Sequence, residues 1–518
     1  MTDQAKMTFG SAAVPAQFMS LEAKFVRLRH MPIVPVVTVL VVGTLLTYWS
    51  TATGLQCDEL LMLRAIELGP VDSLFAPGSS HPPLSRWLMA PVASAVSSDW
   101  VVRLPSMLAA LLTITVWWSF LRRLIPDPWT CKLLLPAMAL NLSWLALGYQ
   151  CVPYAWLTLF ASLHALAWLR LLERPNWRDG VLFVLTGVAA AWSHFYGVNL
   201  LFADQLIWLV LLCRRKSLWR LWLPATSATF LLMLPLVPIA LFYVRLEQPY
   251  SLLQINNFGH YFRWASQAIF GKATFNHANW SVPLYGLWYA AAGLLLWRAL
   301  RGHGENENKN ARYTAGVVAT GIFVAGFPAA QLHCLVSGKA MWERYTVLGL
   351  WIHWPLIALV AYELWGRRAA RWSAALGLAC VVGGFMISQA WTPEWTFDHR
   401  PVAAHMEQNA RPGDAFFAQD FDMWAGSTNI DRLWFDRYVT RSMPVITGPP
   451  MGRHEIARTG LPLHLSNDSV RRVWVYSSHL NEDQLVKMTE GDWRLAEVHR
   501  YGRGYPLALF ERSANSAR

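Results

Sequence analysis

Leu55 to Ser106 contains three short sequences around which the rest of the chain is arranged: LQCDELLMLRAIELG, then SSHPPLSRW, then RLPS. This is the first long polar interval after the first apolar run, and it holds the adjacent acids Asp58 and Glu59. His81 follows directly before two prolines, and Arg103 leads into the second long apolar run. Acids, a histidine and an arginine between two hydrophobic runs are typical of a catalytic loop on a membrane surface.

The remainder of the chain is strongly apolar. Of its 518 residues, 54% are hydrophobic and 15% are charged, and the mean hydropathy is +0.28. A soluble globular chain is about 25% charged and lacks repeated apolar runs of this length. The composition therefore indicates an integral membrane protein. The 29 tryptophans agree, because indole rings prefer the headgroup layer.

The net charge of +12 says less about the class of protein than the positions of the basic residues do. The basic residues form short clusters between apolar runs, which is the pattern of topology signals and not of a nucleic-acid-binding patch. The six cysteines are scattered and form no CxxC pair, which argues against a metal or disulfide framework. One disulfide remains possible, between two of the three cysteines Cys57, Cys151 and Cys334.

Apolar runs predict about eleven transmembrane helices, since a span needs about 20 apolar residues. The first runs from about 32 to 49. The others centre near 103–121, 131–149, 153–171, 180–197, 200–213, 221–243, 281–299, 313–334, 345–363 and 373–391.

Charge predicts which connections face the cytoplasm. Every second connection is basic, with Arg122 and Arg123; Arg170, Arg174 and Arg178; Arg214, Arg215, Lys216 and Arg220; Arg298, Arg301, Lys309 and Arg312; Arg367, Arg368 and Arg371. These clusters fall inside if the basic N-terminal segment is also inside, as expected for a multi-pass protein of the cell inner membrane.

The alternation divides the chain into three parts. Residues 1–30 form a cytoplasmic segment, and residues 31–391 form the α-helical transmembrane domain, with residues 50–102 as its first outer loop. Residues 392–518 have evenly spread charges and no span, and AFFAQD, RRVWVYSS and YPLALFE are typical of strands. We expect a small extracytoplasmic α/β domain there.

Asp58 and Glu59 have two interpretations. Apolar residues at helical spacing after Glu59 predict an amphipathic helix on the membrane, with Asp58 at its start. Asp58 is then an N-cap that accepts a backbone N–H, or a general base held at the boundary of water and lipid. The two roles are compatible, because a capped carboxylate is also a fixed one.

Other polar residues gather at predicted outer helix ends. His81, before Pro82 and Pro83, either marks a helix start or faces a substrate, and Arg103 is a cation whose default position is the membrane surface. The turn near 192–205 holds His194 and Tyr196 as site candidates. Asp204, in the same region, can pair with a neighbour.

A late outer helix end, SGKAMWERYTVLGLW, carries Lys339, Glu343, Arg344 and Tyr345. Basic residues are uncommon on the outer side, and a lipid phosphate explains them, because Arg presents paired donors to phosphate oxygens. A local ion pair between Glu343 and Arg344 is the alternative.

The order of these motifs resembles the bacterial GT-C glycosyltransferases, which include the protein O-mannosyltransferases and the lipid A aminoarabinose transferase. The resemblance covers residues 30–391 in architecture, with its motifs at 55–106 and 339–345. It departs at GYQCVPY, where Gln150 and Tyr154 stand without the charged residues that relatives often carry.

The resemblance implies an inverting transfer of a sugar from a polyprenyl-phosphate donor, on the extracytoplasmic face, to a glycan, lipid or protein acceptor. Asp58 is then the base, with Glu59 as its support, and Arg344 stabilises the departing phosphate together with Lys339 and Arg103. Some relatives bind a divalent cation near the acid pair, and the sequence leaves such a cation open.

Two rival functions are a transporter or flippase of a lipid-linked sugar and a non-catalytic envelope assembly protein. A transporter is expected to place ionisable residues at mid-bilayer on broken helices and to show two related halves. Here the acids gather in outer loops, and no halves are visible in the sequence.

Overall fold

The computed structural model describes residues 33–75, 81–173, 175–212, 218–246, 307–337, 347–387, 398–418, 430–447, 470–476, 493–501 and 506–512, with short helical pieces at 286–297 and a single helical position at 485. The predicted N-terminal segment, residues 1–30, lies outside these ranges.

Eleven α-helices occupy the described residues up to 246. They are α1 (Ile33–Ala52), α2 (Cys57–Glu67), α3 (Leu84–Ala93), α4 (Asp99–Leu124), α5 (Pro128–Ala139), α6 (Leu142–Gly148), α7 (Tyr154–Glu173), α8 (Trp177–Ser193), α9 (Gly197–Leu212), α10 (Trp219–Met233) and α11 (Leu236–Leu246), with a 3-10 turn at Asp72–Phe75.

Five more helices follow between 307 and 387, and two lie near the C-terminus. They are α12 (Glu307–Gly326), α13 (Pro328–Ser337), α14 (Val347–Leu350), α15 (His353–Trp365), α16 (Arg367–Ile387), α17 (Arg400–Asn409) and α18 (Ile430–Tyr438).

Several of these helices can cross a membrane, so the chain is a multi-pass membrane protein. Six described segments are long and apolar enough, and two bent pairs, α5 with α6 and α10 with α11, raise the number to eight. The predicted total of eleven stays a prediction, because the run at 281–299 is described only in pieces and α8 and α9 are short. The longest helix, α4, extends over about 39 Å at 1.5 Å per residue.

The helices bury a group of packed aromatic side chains, and some aliphatic side chains face outward. Trp117 packs against Trp144 and Trp351, with ring centroids 4.9 and 5.8 Å apart. Leu108 and Leu112, four residues apart on α4, are 58% and 54% exposed, as lipid contact requires. Two backbone segments approach closely at the end of α12, where a Cβ on Gly326 would clash with the backbone nitrogen of Gly349.

The C-terminal part contains a five-stranded sheet. Its strands are β1 (Asp414–Ala418), β2 (Val445–Thr447), β3 (Arg472–Tyr476), β4 (Trp493–His499) and β5 (Leu507–Arg512). The order is β2-β1-β3-β5-β4, with β1 parallel to β2 and β3 and with β5 antiparallel to β3 and β4. The predicted strand sequences at 415–420, 471–478 and 505–511 coincide with β1, β3 and β5.

One face of the sheet packs against α17, α18 and the first outer loop. Leu55, Leu60 and Met89 from that loop share a buried cluster with Trp434 and Trp474. The opposite face has its own buried cluster, which contains Phe417, Val475 and Phe510. The sheet and the first outer loop therefore lie at the same end of the helices.

Hydrogen bonds join the loop to the C-terminal part of the chain. The Gly54 N–H donates to Asp398 at 3.0 Å, and the Leu55 N–H donates to the Tyr438 hydroxyl at 2.6 Å. Tyr438 donates in turn to Asp99 at 2.7 Å, and Arg437 also donates to Asp99 at 3.0 Å. The start of α4 is thereby fixed to the end of α18.

Other ion pairs lie at the opposite end of α4. Arg123 contacts Glu173 at 2.6 Å, and Arg371 contacts Asp127 through two hydrogen bonds of 2.7 and 2.9 Å. These groups belong to three of the connections whose basic clusters predict a common side, and the fold brings them together away from the outer loop. Cys151 is a buried free thiol, which takes it out of the open disulfide set.

Candidate active site

The site begins at the first turn of α2. Gln56 is the N-cap, in an extended conformation, and its backbone N–H donates to Glu59 Oε2 at 2.9 Å. Glu59 is therefore the carboxylate that caps this helix, because it stands three residues after the cap, where its side chain can reach back. Asp58 is the second residue of the helix. The interpretation of Asp58 as N-cap is wrong.

Glu59 is buried with Arg103 of α4. Arg103 Nε donates to Glu59 Oε1 at 2.7 Å and Nη2 donates to Oε2 at 2.6 Å, and both side chains have no exposed surface. This is the two-pronged geometry in which a guanidinium matches a carboxylate. The 44 residues that separate the two partners in sequence are thereby closed into a fixed loop.

Arg103 also binds the C-terminal end of α1. Its two terminal nitrogens donate to the backbone carbonyls of Ser50, Thr53 and Gly54 at 3.0, 2.8 and 2.7 Å. The surface position expected of Arg103 is not observed, and its contacts with protein oxygens differ from the predicted contact with a lipid phosphate. The physical reason is saturation, since each of its three guanidinium nitrogens already donates to protein.

The segment from Tyr149 to Cys151 completes this arrangement. The Cys151 N–H donates to Glu59 Oε1 at 2.8 Å, and the Arg103 guanidinium lies 5.1 Å from the centroid of the Tyr149 ring. We call Gln56, Glu59, Arg103, Tyr149 and Cys151 the Glu59 frame.

The Glu59 frame determines where Asp58 can point. Successive residues on an α-helix are separated by about 100°. With Glu59 directed into the protein, Asp58 is directed to another side and is half-buried. Its position in the first helical turn also favours a negative charge, because the helix dipole is positive there. The frame thus fixes the backbone that carries Asp58.

A second group of side chains contains three of the predicted residues. The His81 ring lies 4.7 Å from that of His194, and His194 lies 5.1 Å from Tyr196. Tyr154 contacts His194 at 5.0 Å, and His333 contacts Tyr196 at 5.3 Å, all between ring centroids. We call these five residues the imidazole cluster.

Local structure orients the cluster. His81 precedes Pro82 and Pro83, and α3 begins directly after them, as the two prolines predict. His194 ends α8 in an extended conformation, and its Nδ1 accepts the Tyr196 backbone N–H at 3.0 Å. In a neutral His194, the proton must then lie on Nε2, which becomes a hydrogen-bond donor.

Residues 149–154 connect the two groups. Cys151 binds Glu59 on one side, and Tyr154, three residues later, touches His81 at 6.3 Å and His194 on the other. The arrangement offers a fixed carboxylate, imidazole donors and aromatic faces. Such groups can take a proton from a hydroxyl and bind a sugar or a phosphate.

The structure therefore gathers His81, His194 and Tyr196 into one cluster and places Glu59 and Arg103 in the frame beside Asp58. Lys339, Glu343, Arg344 and Tyr345 lie outside the described residues. Sequence reasoning missed Tyr149, Tyr154 and His333. Both tyrosines lie in GYQCVPY, which has no charged residue and therefore gave no signal of a site.

Asp204 pairs within the helices. Its carboxylate lies 2.6 Å from Nε2 of His164, both are fully buried, and Nδ1 of His164 bonds to the Phe183 carbonyl at 2.8 Å. The sequence analysis expected that Asp204 can pair with a neighbour, and His164 is that neighbour. The pair joins α7 to α9.

Glu59 does not favour a divalent cation near the acid pair, because its two carboxylate oxygens already accept hydrogen bonds from Arg103 and from backbone N–H groups. Within the described part of the chain, three metal-ligating side chains come together at His405, Glu497 and His499 and not at Asp58.

Comparisons with known proteins agree with the motifs. Residues 80–242 match the family model described as dolichyl-phosphate-mannose-protein mannosyltransferase. The matched segment contains Arg103 and four members of the imidazole cluster, His81, Tyr154, His194 and Tyr196, and it begins after Asp58. No curated protein sequence matches the chain.

Three solved structures are similar at low identity. ArnT from Cupriavidus metallidurans in the apo state is 12% identical, with a TM-score of 0.43, and the ArnT bound to undecaprenyl phosphate is 14% identical, with a TM-score of 0.44; both matches cover 93% of this chain and 98% of the other. The arabinosyltransferase EmbB from Mycobacterium smegmatis is 13% identical, with a TM-score of 0.33, over 78% of this chain and 44% of EmbB.

TM-scores below 0.5 are too low for these three likenesses to support a statement about activity. The sequence match is independent of them and covers the His81-Pro82-Pro83 motif, Arg103 and the spans that follow, but not Asp58 and Glu59. Over residues 80–242 the chain is therefore similar to the dolichyl-phosphate-mannose-protein mannosyltransferases, in agreement with the resemblance of its motifs to the GT-C glycosyltransferases.

Proposed function

We propose that this protein transfers a sugar from a polyprenyl-phosphate donor to an envelope acceptor, which is lipid A or core oligosaccharide, another envelope glycan or a protein. The observation that carries the proposal is the Glu59 frame, which fixes Asp58 at the start of α2. The frame lies beside residues that match the model of a sugar-transferring family. We place the reaction on the extracytoplasmic face of the inner membrane, with residues 1–30 in the cytoplasm and residues 392–518 outside.

In the proposed reaction an acceptor hydroxyl attacks the anomeric carbon of the donor. Asp58 takes the hydroxyl proton, the new glycosidic bond forms, and the bond from the anomeric carbon to the phosphate oxygen breaks. One displacement inverts the anomeric centre. A base on a rigid helix start is suited to this step, because its reach to the hydroxyl must hold within a few tenths of an ångström.

Roles differ within the acid pair. Glu59 is a positioning residue, since Arg103 and two backbone N–H groups occupy its oxygens. Arg103 acts through Glu59 and the α1 carbonyls, so we assign phosphate stabilisation to Arg344 and Lys339 on the strength of the sequence. A departing phosphate gains negative charge, and cationic donors stabilise that charge most when they are already in place.

The imidazole cluster is the proposed binding surface for the donor. Nε2 of His194 presents a donor in the neutral tautomer, and the Tyr154 and Tyr196 rings present aromatic faces of the kind that pack against sugar rings. The family model supports this assignment, because residues 80–242 include these three residues.

One observation favours a second function. The buried His164–Asp204 pair lies between membrane-embedded helices, and ionisable residues at that depth often mark a transport pathway. A transporter or flippase of a lipid-linked sugar is therefore the second candidate. A non-catalytic role in envelope glycan assembly is the third.

The test compares a deletion strain complemented with wild type, Asp58→Asn or Arg344→Ala, at equal expression. Glu67→Gln is the matched control, because Glu67 is an exposed carboxylate on the same helix, 64% exposed. Mass spectrometry then compares lipid-linked sugars with the glycans of lipid A, polysaccharide and protein.

Transfer predicts that Asp58→Asn removes one sugar from one glycan while the polyprenyl-phosphate sugar accumulates, and that Glu67→Gln changes nothing. The missing mass identifies donor and acceptor together. Glycans that are unchanged with Asp58→Asn and altered by the deletion would contradict the assignment of Asp58 and favour transport or assembly.

A further inference from the structure

A group of possible metal ligands lies on the C-terminal sheet, away from the Glu59 frame. His405 comes from α17, and Glu497 and His499 come from β4, which is an edge strand. One ligand atom of each of the three residues lies within 4.8 Å of the others. Nε2 of His499 lies 3.0 Å from Glu497 Oε2, and the two imidazole rings are 4.2 Å apart between centroids.

A β-bulge brings the group together. The register of β4 on β5 shifts between Leu495, opposite Phe510, and Glu497, opposite Leu509. Leu495 packs on the sheet face that contains Phe510, whereas Leu509 belongs to the face covered by α17. In a regular strand, residues two apart share a face, so Glu497 would point with Leu495. The extra residue turns it toward α17.

The bulge is therefore what aims Glu497 and His499 at His405. Bulges commonly re-aim a side chain at a functional position. His499 lies opposite Leu507, which also belongs to the face covered by α17. His405, on α17, is next to the buried Met406, at the rim of that cluster.

His405 supplies a further indication. Its Nε2 is buried and has no hydrogen-bond partner among the described residues. A buried nitrogen without a partner loses the free energy of its hydration. A metal ion on this nitrogen would remove that loss, and Glu497 and His499 each place a ligand atom within 4.8 Å of a ring nitrogen of His405.

We propose that His405, Glu497 and His499 bind one Zn²⁺ ion on the edge of the C-terminal sheet, with a water molecule in the open fourth position. Two imidazoles and one carboxylate favour Zn²⁺ over Mg²⁺, which prefers oxygen ligands. Tetrahedral ligands at about 2.1 Å from zinc lie about 3.4 Å apart, so closure requires shifts of about 1 Å. The ion links α17 to β4.

The experiment uses the full chain in detergent after removal of metals with a chelator. Co²⁺ replaces Zn²⁺ as a visible probe, since its absorption band is intense in a tetrahedral site, and competition with a coloured chelator gives the Zn²⁺ affinity. The variants are His499→Ala, Glu497→Gln and His405→Ala. Glu511→Gln is the control, because Glu511 forms a partly exposed ion pair with Arg494 on the neighbouring strand.

We expect one Zn²⁺ per chain that Mg²⁺ does not displace, unchanged with Glu511→Gln, and an affinity at least about tenfold lower in each ligand variant. Zn²⁺ should raise the melting temperature of the wild type and the control but not of the variants. If the wild-type protein gives no tetrahedral Co²⁺ band, the site is refuted and the variants are not needed. If the wild type and the folded variants bind Zn²⁺ with equal affinity, the three side chains form an ion pair and not a metal site.

Discussion

Replacing Arg103 with methionine tests the Glu59 frame most directly. Methionine fills much of the same volume but provides no donor, so Glu59 keeps only the N–H groups of Gln56 and Cys151. The carbonyls of Ser50 and Gly54 lose their bonds to the guanidinium as well.

The expected loss of stability is large because the carboxylate is fully buried. Removing one partner of a buried ion pair leaves an uncompensated charge and costs about 3–5 kcal/mol. The exposed pair on the same helix is the reference: Arg64 and Glu67 lie 3.0 Å apart but are 53% and 64% exposed. Such a pair contributes about 0–1 kcal/mol.

The assay is unfolding of the purified protein in mixed detergent, followed by tryptophan fluorescence, for wild type, Arg103→Met, Glu67→Gln and the double variant Glu59→Gln with Arg103→Met. The double variant should recover about 2 kcal/mol, since a neutral amide replaces the buried charge. Sugar transfer is measured in membranes in parallel, and we expect it to fall with Arg103→Met because the frame holds the backbone of Asp58.

The reasoning is refuted if Arg103→Met and Glu67→Gln have the same stability to within about 1 kcal/mol. That result would mean that Glu59 is not ionised and paired in the membrane. A stable Arg103→Met protein without transfer activity would instead assign Arg103 a direct role at the phosphate.

Three further outcomes follow from single contacts. The Arg371 hydrogen bond lowers the pKa of Asp127 from 3.8 to about 2, so its stabilisation is complete above pH 4 and lost as the pH falls toward 2; unfolding against pH should show this loss in wild type and not in Asp127→Asn. Gly326→Ala should reduce the folded yield severely, because its Cβ would meet backbone, whereas Gly383→Ala, with open space, should be neutral or stabilise by up to about 1 kcal/mol. Tyr438→Phe removes the hydroxyl that accepts the Leu55 N–H and donates to the Asp99 carboxylate. The free energy of opening of α18, measured by hydrogen exchange, should fall by about 1–3 kcal/mol.

Local features were accessible from the sequence. Apolar length predicts α1 and α4 within a few residues, and Pro82 and Pro83 predict the start of α3. His81 and His194 were predicted as separate candidates on the same side of the membrane, and the structure brings their rings to 4.7 Å between centroids. Each of these inferences depends on a pattern within about 20 residues.

Partners of charged residues were not accessible. Nothing near Glu59 indicates that its partner is Arg103, and nothing near Asp204 indicates His164, since a charge is satisfied equally well by any donor that the fold brings close. The assignment of the cap failed for a similar reason. Both acids can cap a helix, and the choice depends on which one the buried arginine draws inward.

The bonds from Gly54 and Leu55 to Asp398 and Tyr438 have a consequence for biogenesis. They join positions 344 and 383 residues apart in the chain. Contacts of such long sequence separation form late, because the intervening chain must first be synthesised and ordered. In the proposed topology, the outer loop that carries Asp58 is therefore translocated early and lacks its contacts with α18 until that helix has been made. Chains still in synthesis would have their helices inserted and remain inactive until that late segment docks.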